Sequence, residues 1–194
     1  MGYLDWHAEP GYYNDIVRHF PSDGRVLDLG CGSGWLSKHL AHYVGLDDRR
    51  DRSDGPGRRV QADVHQPLPF RDGTFDGVIM KDVIEHLRDP FAPTAEVVRV
   101  LKPGGRVFVS APDAQRWMWD DYTHVRPYTR KGMRRLLEDA GLRVERVGYE
   151  SVTPGIGIIS RWTRRKRRPR TFAALAWLPF IRRNVWATAR KDTD

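Results

Sequence analysis

Cysteine and long apolar runs are what this 194-residue sequence has least of. Cys31 is its one cysteine, so no disulfide can form within the chain, which suits a reducing compartment. No run approaches the roughly 20 apolar residues of a membrane-spanning helix, and the first residues lack the cationic and then apolar pattern of a signal peptide. We therefore expect a cytoplasmic protein. With 40% hydrophobic residues the chain can build one core, which predicts a single domain over residues 1–194.

Acidic residues are absent from the stretch 161–170, which holds seven of the basic residues behind the formal net charge of +8. The positive charge is therefore concentrated in one local patch. An apolar stretch follows it, and residues 161–181 together could hold the chain peripherally on an anionic membrane. The same arginines could instead recognise an acidic acceptor or form a solvated surface. Nucleic acid is the less favoured partner, because aromatic residues do not interleave with the basic ones.

Short β-branched and aliphatic runs alternate with helical patterns along most of the chain. Helical spacing is found in residues 34–41, 93–101 and 129–140, with residues 102–105 and Gly141 as helix stops. This alternation predicts an α/β fold with a mostly parallel, doubly wound sheet that binds ligands at the carboxyl ends of its strands. Seven strands are predicted, at residues 26–29, 43–46, 59–62, 75–80, 106–110, 142–149 and 184–189.

Three segments depart from this rhythm. Residues 1–24 are predicted to form an N-terminal helical cover over the ligand site. The link 48–59 has no apolar side chain, so we expect an exposed or irregular connection there and not a packed crossover helix. Residues 151–183 are an insertion before the last strand, in which the basic stretch is followed by an apolar one.

A strand that runs into a glycine-rich turn is the strongest local motif. Residues 26–34 read VLDLGCGSG, and the three glycines let the backbone turn tightly and approach a ligand. The helix start that follows offers N–H groups to a carboxylate or a phosphate. A dinucleotide site is the first alternative, but its fingerprint is G-x-G-x-x-G, and Asp28 would repel a pyrophosphate. Asp28 would instead attract an ammonium or sulfonium group, so the pattern favours the amino-acid end of S-adenosylmethionine.

Acidic residues also end the next two predicted strands. Asp47 closes the second strand, where a carboxylate can accept hydrogen bonds from both ribose hydroxyls of a nucleoside. Asp63 follows the third strand, in position for an adenine amino group. Either acid alone would more often be a solvated strand-end residue, but their joint spacing with the glycine loop predicts a nucleoside site.

Four segments resemble, in order, the motifs of the class I S-adenosylmethionine-dependent methyltransferases, and in particular the small branch that includes the ubiquinone-biosynthesis methyltransferases. They are VLDLGCGSG, VGLD, QADVHQPLPFRDGTFDGVIMKDVIEHL and LKPGGRVFVSAP, all within residues 25–140. The resemblance implies a Rossmann-like seven-stranded sheet whose last strand is antiparallel. It implies a donor loop of Asp28, Gly30, Gly32 and Gly34, with Asp47 at the ribose and Asp63 and Val64 at the adenine. We add Cys31, Asp48 and Lys81 as neighbours that contact the donor.

Methyl transfer needs an aligned nucleophile and a group that removes its proton. His86, after the fourth strand, and His124, in a long loop beyond the fifth, are the candidate general bases, with Asp120 and Asp121 beside His124. His86 could also be only a local hydrogen-bond partner. Aromatic residues of this loop and of the N-terminal segment either wall the acceptor or only pack over the sheet: Tyr12, Tyr13, Trp117, Trp119 and Tyr122.

A divalent metal is an option that the sequence does not favour. The pattern Asp82-x-x-Glu85-His86 resembles the Glu-x-x-Glu-His of the small-RNA 2′-O-methyltransferases and related ubiquinone enzymes, which hold a magnesium-like ion at the acceptor. Aspartate replaces the first glutamate here and shortens the reach by one carbon. If an ion is used, its predicted ligands are Asp82, Glu85, His86 and His124.

These patterns together predict a methyltransferase that uses S-adenosylmethionine, releases S-adenosylhomocysteine and acts on a small molecule. We expect transfer to an oxygen of an acidic or specialised metabolite, enclosed by the loop 111–128 and the insertion 151–183. A membrane-associated lipid or envelope acceptor is the alternative within this class. A non-catalytic protein that retains the donor pocket, or a nucleic-acid binder, is the alternative outside it.

Overall fold

A seven-stranded sheet dominates the computed structural model, which describes residues 16–48, 57–151 and 182–193. The strand order is β3-β2-β1-β4-β5-β7-β6. Neighbouring strands from β3 to β5 pair in parallel, whereas β7 is antiparallel to both β5 and β6. The strands are β1 Arg25–Leu29, β2 His42–Asp47, β3 Arg58–Gln61, β4 Phe75–Lys81, β5 Leu101–Pro112, β6 Leu142–Ser151 and β7 Arg182–Lys191.

All seven predicted strands are confirmed, and so is the antiparallel last strand. The carboxyl ends of the parallel strands β1, β2, β4 and β5 meet at one edge of the sheet. Leu29 is opposite both Leu46 and Met80, and Lys81 is opposite Ser110. Residues that directly follow these four strands are therefore close neighbours in space.

Two α-helices cover one face of the sheet. Helix α1 is Phe91–Val100 and helix α2 is Arg130–Asp139, each within two residues of its prediction. Thr129 caps α2, because its side chain accepts a hydrogen bond from the Gly132 amide at 3.1 Å. Gly141 follows α2 with a φ of 85°, a left-handed conformation that suits a helix stop.

The predicted helix over residues 34–41 is wrong in type and length. A 3-10 helix occupies only Trp35–His39. Both the amide and the hydroxyl of Ser37 donate to the Gly34 carbonyl three residues earlier, and this i to i+3 pattern tightens the turn. The helix stop predicted at residues 102–105 is confirmed, because α1 ends at Val100 and these residues lie within β5, which begins directly after it. Two further 3-10 turns are Ile84–His86 and Arg116–Asp120.

The sheet separates two apolar clusters. The larger one holds Leu27, Leu29 and Met80 against Val97 of α1 and Met133 of α2. The smaller one, on the opposite face, combines strand residues such as Val26, Tyr43 and Ile79 with Ile16 and Phe20. The side chain of Phe20 lies directly on β4, since a Cβ at Gly77 would come within 2.1 Å of its ring. Asp28 belongs to this second face and ends up buried there.

Some predictions fall outside the described residues. These include most of the N-terminal cover 1–24, most of the link 48–59 and nearly all of the insertion 151–183, so they stay predictions. Within the described residues, no helix has the length and apolar character needed to cross a membrane.

Candidate active site

The glycine loop at the end of β1 is held in place by β2. The amides of Gly30 and Cys31 both donate to the carbonyl of Leu46, at 2.8 and 3.1 Å. Gly30, Gly32 and Gly34 all have positive φ, which side chains with a Cβ rarely adopt. A Cβ at Gly30 would also lie 2.4 Å from Cγ2 of Val83, so the loop packs directly against the segment that follows β4.

Gly32 and Asp47 meet as the sequence predicts. The Gly32 amide donates to Oδ2 of Asp47 at 2.8 Å. A Cβ at Gly32 would meet no other atom within 4 Å, so this part of the loop borders open space at the sheet edge. A ligand placed in that space would face the loop backbone and the Asp47 carboxylate together.

Asp28 is a buried carboxyl beneath the loop, with 4% of its surface exposed. Tyr43 donates a hydrogen bond to its Oδ2 at 2.9 Å. Burial raises the pKa of Asp28 to about 7, although the Tyr43 hydrogen bond and the positive charges of Lys81 and Arg59 oppose the rise. A carboxyl group with this pKa can lose its proton near neutral pH, and only the ionised form can pair with a cation.

Tyr43 and Arg59 contact the donor loop or Asp28, and the sequence reasoning missed both. Arg59 donates from Nη2 to the carbonyl of Gly32. The signal that could have found them is strand alternation: Tyr43 is two residues before Gly45, and Gly45 is paired with Asp28 on one side and Arg59 on the other. All four positions therefore share one face of the sheet.

The predicted adenine and outer ribose residues are more exposed. Asp63 is about half exposed and accepts hydrogen bonds from the amide and the ring of His65, which lower the pKa of Asp63. Asp48 is exposed, and its carbonyl accepts a hydrogen bond from Nε2 of Gln61 at 3.1 Å. Val64 packs against the larger apolar cluster. Their assignment to the donor stays a prediction.

Lys81 and Asp82 form a hydrogen-bonded cluster with Asn184 where β4 ends. Lys81 Nζ donates to Oδ2 of Asp82, and the other carboxylate oxygen accepts from Nδ2 of Asn184 at 3.2 Å. Asp82 has a φ of 53°, an uncommon conformation for a residue with a side chain. The hydrogen bond from Asn184 ties the Asp82 carboxylate to β7. Asp82 is therefore not part of the cluster that the other predicted metal ligands, Glu85, His86 and His124, form.

Glu85, His86 and His124 do come together. Their potential ligand atoms all lie within 4.8 Å of one another, and the two imidazole rings are 4.8 Å apart between centroids. The backbone makes this meeting possible, because the Glu85 carbonyl accepts hydrogen bonds from the amides of Val125 and Arg126 at 2.8 and 3.3 Å. The loop after β5 is thereby tied to the turn after β4.

Hydrogen bonds define which imidazole nitrogens carry the protons. His124 Nδ1 lies 2.7 Å from the Met118 carbonyl, which can only accept, so Nδ1–H donates. His86 Nδ1 similarly faces the carbonyl and the hydroxyl of Thr123, at 3.3 and 3.1 Å. The Thr123 hydroxyl in turn donates to Asp121 at 2.6 Å. Both rings therefore donate from Nδ1, and Nε2 is the acceptor nitrogen of each ring in its neutral form.

Two acids flank the imidazoles. Hydrogen bonds from the Thr123 side chain and amide lower the pKa of Asp121, whose Oδ2 is 3.8 Å from Nε2 of His124. Glu85 is 1% exposed, and burial, followed by repulsion from Asp82, raises the pKa of Glu85 to about 8. Among the described residues, its Oε2 atom has no hydrogen-bond partner although it is fully buried. Such an orphaned oxygen calls for a proton, a water molecule or a cation.

The aromatic residues predicted to line the acceptor site differ in how far the structure describes them. Tyr122 is 95% exposed among the described residues, and its role at the acceptor stays a prediction. Trp119 is 55% exposed, in the 3-10 turn next to it. The backbone of Trp117 belongs to the same turn, but its side chain, like Tyr12 and Tyr13, lies outside the described part of the chain.

The chain belongs to the family of methyltransferase domains, whose family model matches residues 6–147. A ubiquinone biosynthesis O-methyltransferase from Xylella fastidiosa is 35% identical over 110 residues, which are 49% of this chain and 45% of that protein. An uncharacterized methyltransferase from a Mycobacterium species is 38% identical over 100 residues, 46% of this chain and 39% of that protein. The matched region thus spans less than half the length of these curated relatives.

Solved structures share the fold. A SAM-dependent methyltransferase from Archaeoglobus fulgidus has a TM-score of 0.71 at 20% identity, over 92% of this chain and 90% of that one. The [4+2]-cyclase SpnF has a TM-score of 0.69 at 17% identity, over 94% of this chain and 81% of that one. The architecture is therefore the Rossmann-like fold of the SAM-dependent methyltransferases, as predicted. The cyclase shows that this fold does not by itself define the reaction.

Proposed function

We propose that this chain transfers a methyl group from S-adenosylmethionine to an oxygen of a small, anionic acceptor. One observation carries the proposal: the contact between Gly30 and Val83 places the donor loop directly beside the turn that holds His86. The glycine loop and the two imidazoles lie at the same edge of the sheet, which supports a donor site beside the candidate bases. That edge is where open α/β sheets bind their ligands.

The residues present fit the donor. Space borders Gly32, a carboxylate stands beside it at Asp47, and the buried Asp28 can balance an ammonium or a sulfonium charge. When bound, S-adenosylmethionine supplies a methyl group that its positively charged sulfur has already activated. What the chain itself has to supply is orientation of the acceptor and removal of its proton.

His124 is the general base of the proposed reaction. Its Nδ1–H is engaged by Met118, so Nε2 would be the atom that takes the proton of the acceptor hydroxyl. The carboxylate of Asp121, 3.8 Å from Nε2, stabilises the imidazolium that results. His86 contacts the His124 ring and presents a second acceptor nitrogen to the same space.

The positive net charge of the chain supports an anionic acceptor. The chain carries a formal net charge of +8, which raises the local concentration of anions and their rate of encounter. The stretch 161–170 is the main source of that charge in the sequence, so we extend the proposal to contact of this stretch with an anionic acceptor or an anionic membrane surface.

A divalent cation is a second candidate ligand of Glu85, His86 and His124. The orphaned, buried Oε2 of Glu85 favours this candidate, and two imidazoles with one carboxylate suit zinc better than magnesium. An ion held there would supply Lewis acidity at the acceptor oxygen. Metal content of the purified chain and turnover after chelation distinguish the two candidates, because a base mechanism survives chelation and a metal mechanism does not.

The test of the proposed function has two stages. Calorimetry with S-adenosylhomocysteine measures the donor site, for which we expect binding with one ligand per chain. A panel of phenols, hydroxy acids and their non-hydroxylated analogues is then incubated with methyl-labelled donor. Labelled products from hydroxylated compounds alone support oxygen methylation, whereas donor binding without any transfer supports a binding protein, and transfer to amines contradicts the choice of atom.

A further inference from the structure

Arg59 reaches the donor loop from a strand that is not adjacent to it. Residues Asp28, Gly45 and Arg59 occupy one cross-strand row over β1, β2 and β3. Because Gly45 has no side chain, Cys31 and Tyr43 fill the space above it, and a Cβ there would come within 2.7 Å of the Cys31 sulfur. Gly45 therefore leaves room for Cys31 and Tyr43 between Asp28 and Arg59, and the positive charge of Arg59 acts on the Asp28 carboxyl across these side chains.

Two side chains hold the peptide groups on either side of the Gly32 Cα atom. Asp47 accepts from the Gly32 amide at 2.8 Å, and Arg59 donates to the Gly32 carbonyl. A glycine passes readily between positive and negative φ, so holding both peptide groups keeps Gly32 at its observed φ of 51°. This is the residue whose missing side chain faces the open space of the donor site.

Gly34 provides room for the same guanidinium. A Cβ at Gly34 would lie 3.0 Å from Nη1 of Arg59, and this Nη1 atom is fully buried without a hydrogen-bond acceptor among the described residues. Burying an unmatched guanidinium N–H is costly, so the position needs a reason beyond packing. The third glycine of the loop is thus spatially matched to Arg59.

We propose that Arg59 is a positioning residue for the donor: it clamps the Gly32 peptide in its binding conformation and provides a positive charge that favours the ionised form of Asp28. This inference rests on the proposed donor site and deepens it. The groups that face Asp28 are Tyr43, Lys81, Arg59, Asp47 and Cys31, and burial remains the largest influence on its charge. Removal of Arg59 therefore lowers donor affinity in two separable ways.

The experiment measures binding of S-adenosylhomocysteine to the full chain by calorimetry from pH 6 to pH 8.5. Arg59→Met removes both the clamp and the charge. Loss of the clamp leaves less of the protein in the binding-competent conformation, so we expect affinity at pH 8 to fall about tenfold. Loss of the charge should raise the midpoint of the pH dependence. Arg59→Lys keeps the charge and loses the forked guanidinium, so affinity falls while the midpoint stays. Arg58→Met is the matched control, an equal charge change at an exposed neighbour on the same strand, and should bind like the wild type.

Specific outcomes would overturn the inference. Arg59→Met binding within twofold of the wild type at every pH contradicts it, and so does an equal loss of affinity in Arg58→Met. A purely structural role would lower the melting temperature and the affinity without moving the pH midpoint. If Arg59→Met does not fold, Arg59→Lys provides the test. Wild-type affinity for S-adenosylhomocysteine in Arg59→Lys would contradict a clamp that needs the forked guanidinium. A wild-type chain that does not bind S-adenosylhomocysteine contradicts the proposed donor site itself, before Arg59 is considered.

Discussion

The proposed donor side and the proposed acceptor side of this sheet edge are built in different ways. On the donor side, the glycine loop, Asp28 and Asp47 are positioned by pairing between adjacent strands, and many of their contacts involve backbone atoms. On the acceptor side, His86 and His124 come from separate segments joined through the Glu85 carbonyl. The donor side is thus a property of the common fold, whereas the acceptor side depends on the packing of one particular loop, where such folds vary their function.

The largest effect that separates the two sides is expected for His124→Gln. Loss of the base should lower turnover about 10²- to 10⁴-fold and leave S-adenosylhomocysteine affinity unchanged, because the contacts of His124 among the described residues are with Met118, His86 and Asp121. The measurements are steady-state kinetics with the best acceptor of the panel and calorimetry. His42→Gln is the control, at an exposed position where β2 begins, on the opposite edge of the sheet. Equal losses of turnover and donor affinity in His124→Gln would contradict the separation of the proposed donor side from the proposed acceptor side.

Asp28→Asn should have the converse effect. The asparagine oxygen can still accept the Tyr43 hydrogen bond, but the charge that pairs with the donor is gone, so we expect about 10- to 100-fold weaker binding of S-adenosylhomocysteine, the range for loss of a charged hydrogen bond. Stability at pH 8 should be equal or higher, since burial of an ionised acid is avoided. Calorimetry and urea unfolding check both results. Asp23→Asn, exposed near the start of β1, should change neither.

Donor affinity should also depend on pH through the same carboxyl. Burial raises the pKa of Asp28 to about 7, and only the ionised form pairs with an ammonium group, so affinity should rise about tenfold from pH 6 to pH 8. The stability contribution has the opposite sign. The folded chain holds this proton to higher pH than the unfolded chain does, so that contribution falls as pH rises from about 4 to about 7. Both dependences should disappear in Asp28→Asn, and a flat profile in the wild type would contradict the assignment.

The smallest effect is expected for Tyr122→Ala. This side chain is 95% exposed, so the free energy of unfolding should change by less than about 0.5 kcal/mol and donor affinity should not change. Met118→Ala in the same loop provides the contrast. Met118 is fully buried, and its removal should cost about 2–5 kcal/mol in urea unfolding. A large stability loss in Tyr122→Ala would show that the loop packs differently from this structure.

Particular residues show how far the sequence could be interpreted. The meeting of Gly32 with Asp47 was predictable, because both follow neighbouring parallel strands and carboxyl ends of such strands share an edge. The roles of Tyr43 and Arg59 were not, because they depend on side-chain contacts with Asp28 and with the Gly32 carbonyl that no local spacing indicates. Asp82 was grouped with Glu85 and His86 by spacing, but its left-handed backbone and the bond from Asn184 turn it toward β7. A residue of the last strand cannot be linked to Asp82 by local spacing.

The amino-acid sequence by itself determined the order of strands and helices, the glycine loop and the acids at the strand ends, since periodicity, glycine and strand termini are local signals. Only the tertiary structure decided that Asp28 is buried with a pKa near 7, that Arg59 holds Gly32, and that His86 and His124 adjoin. Burial, charge state and contact between distant segments are properties of the packed chain, because each depends on what surrounds a residue in space and not on its neighbours in sequence.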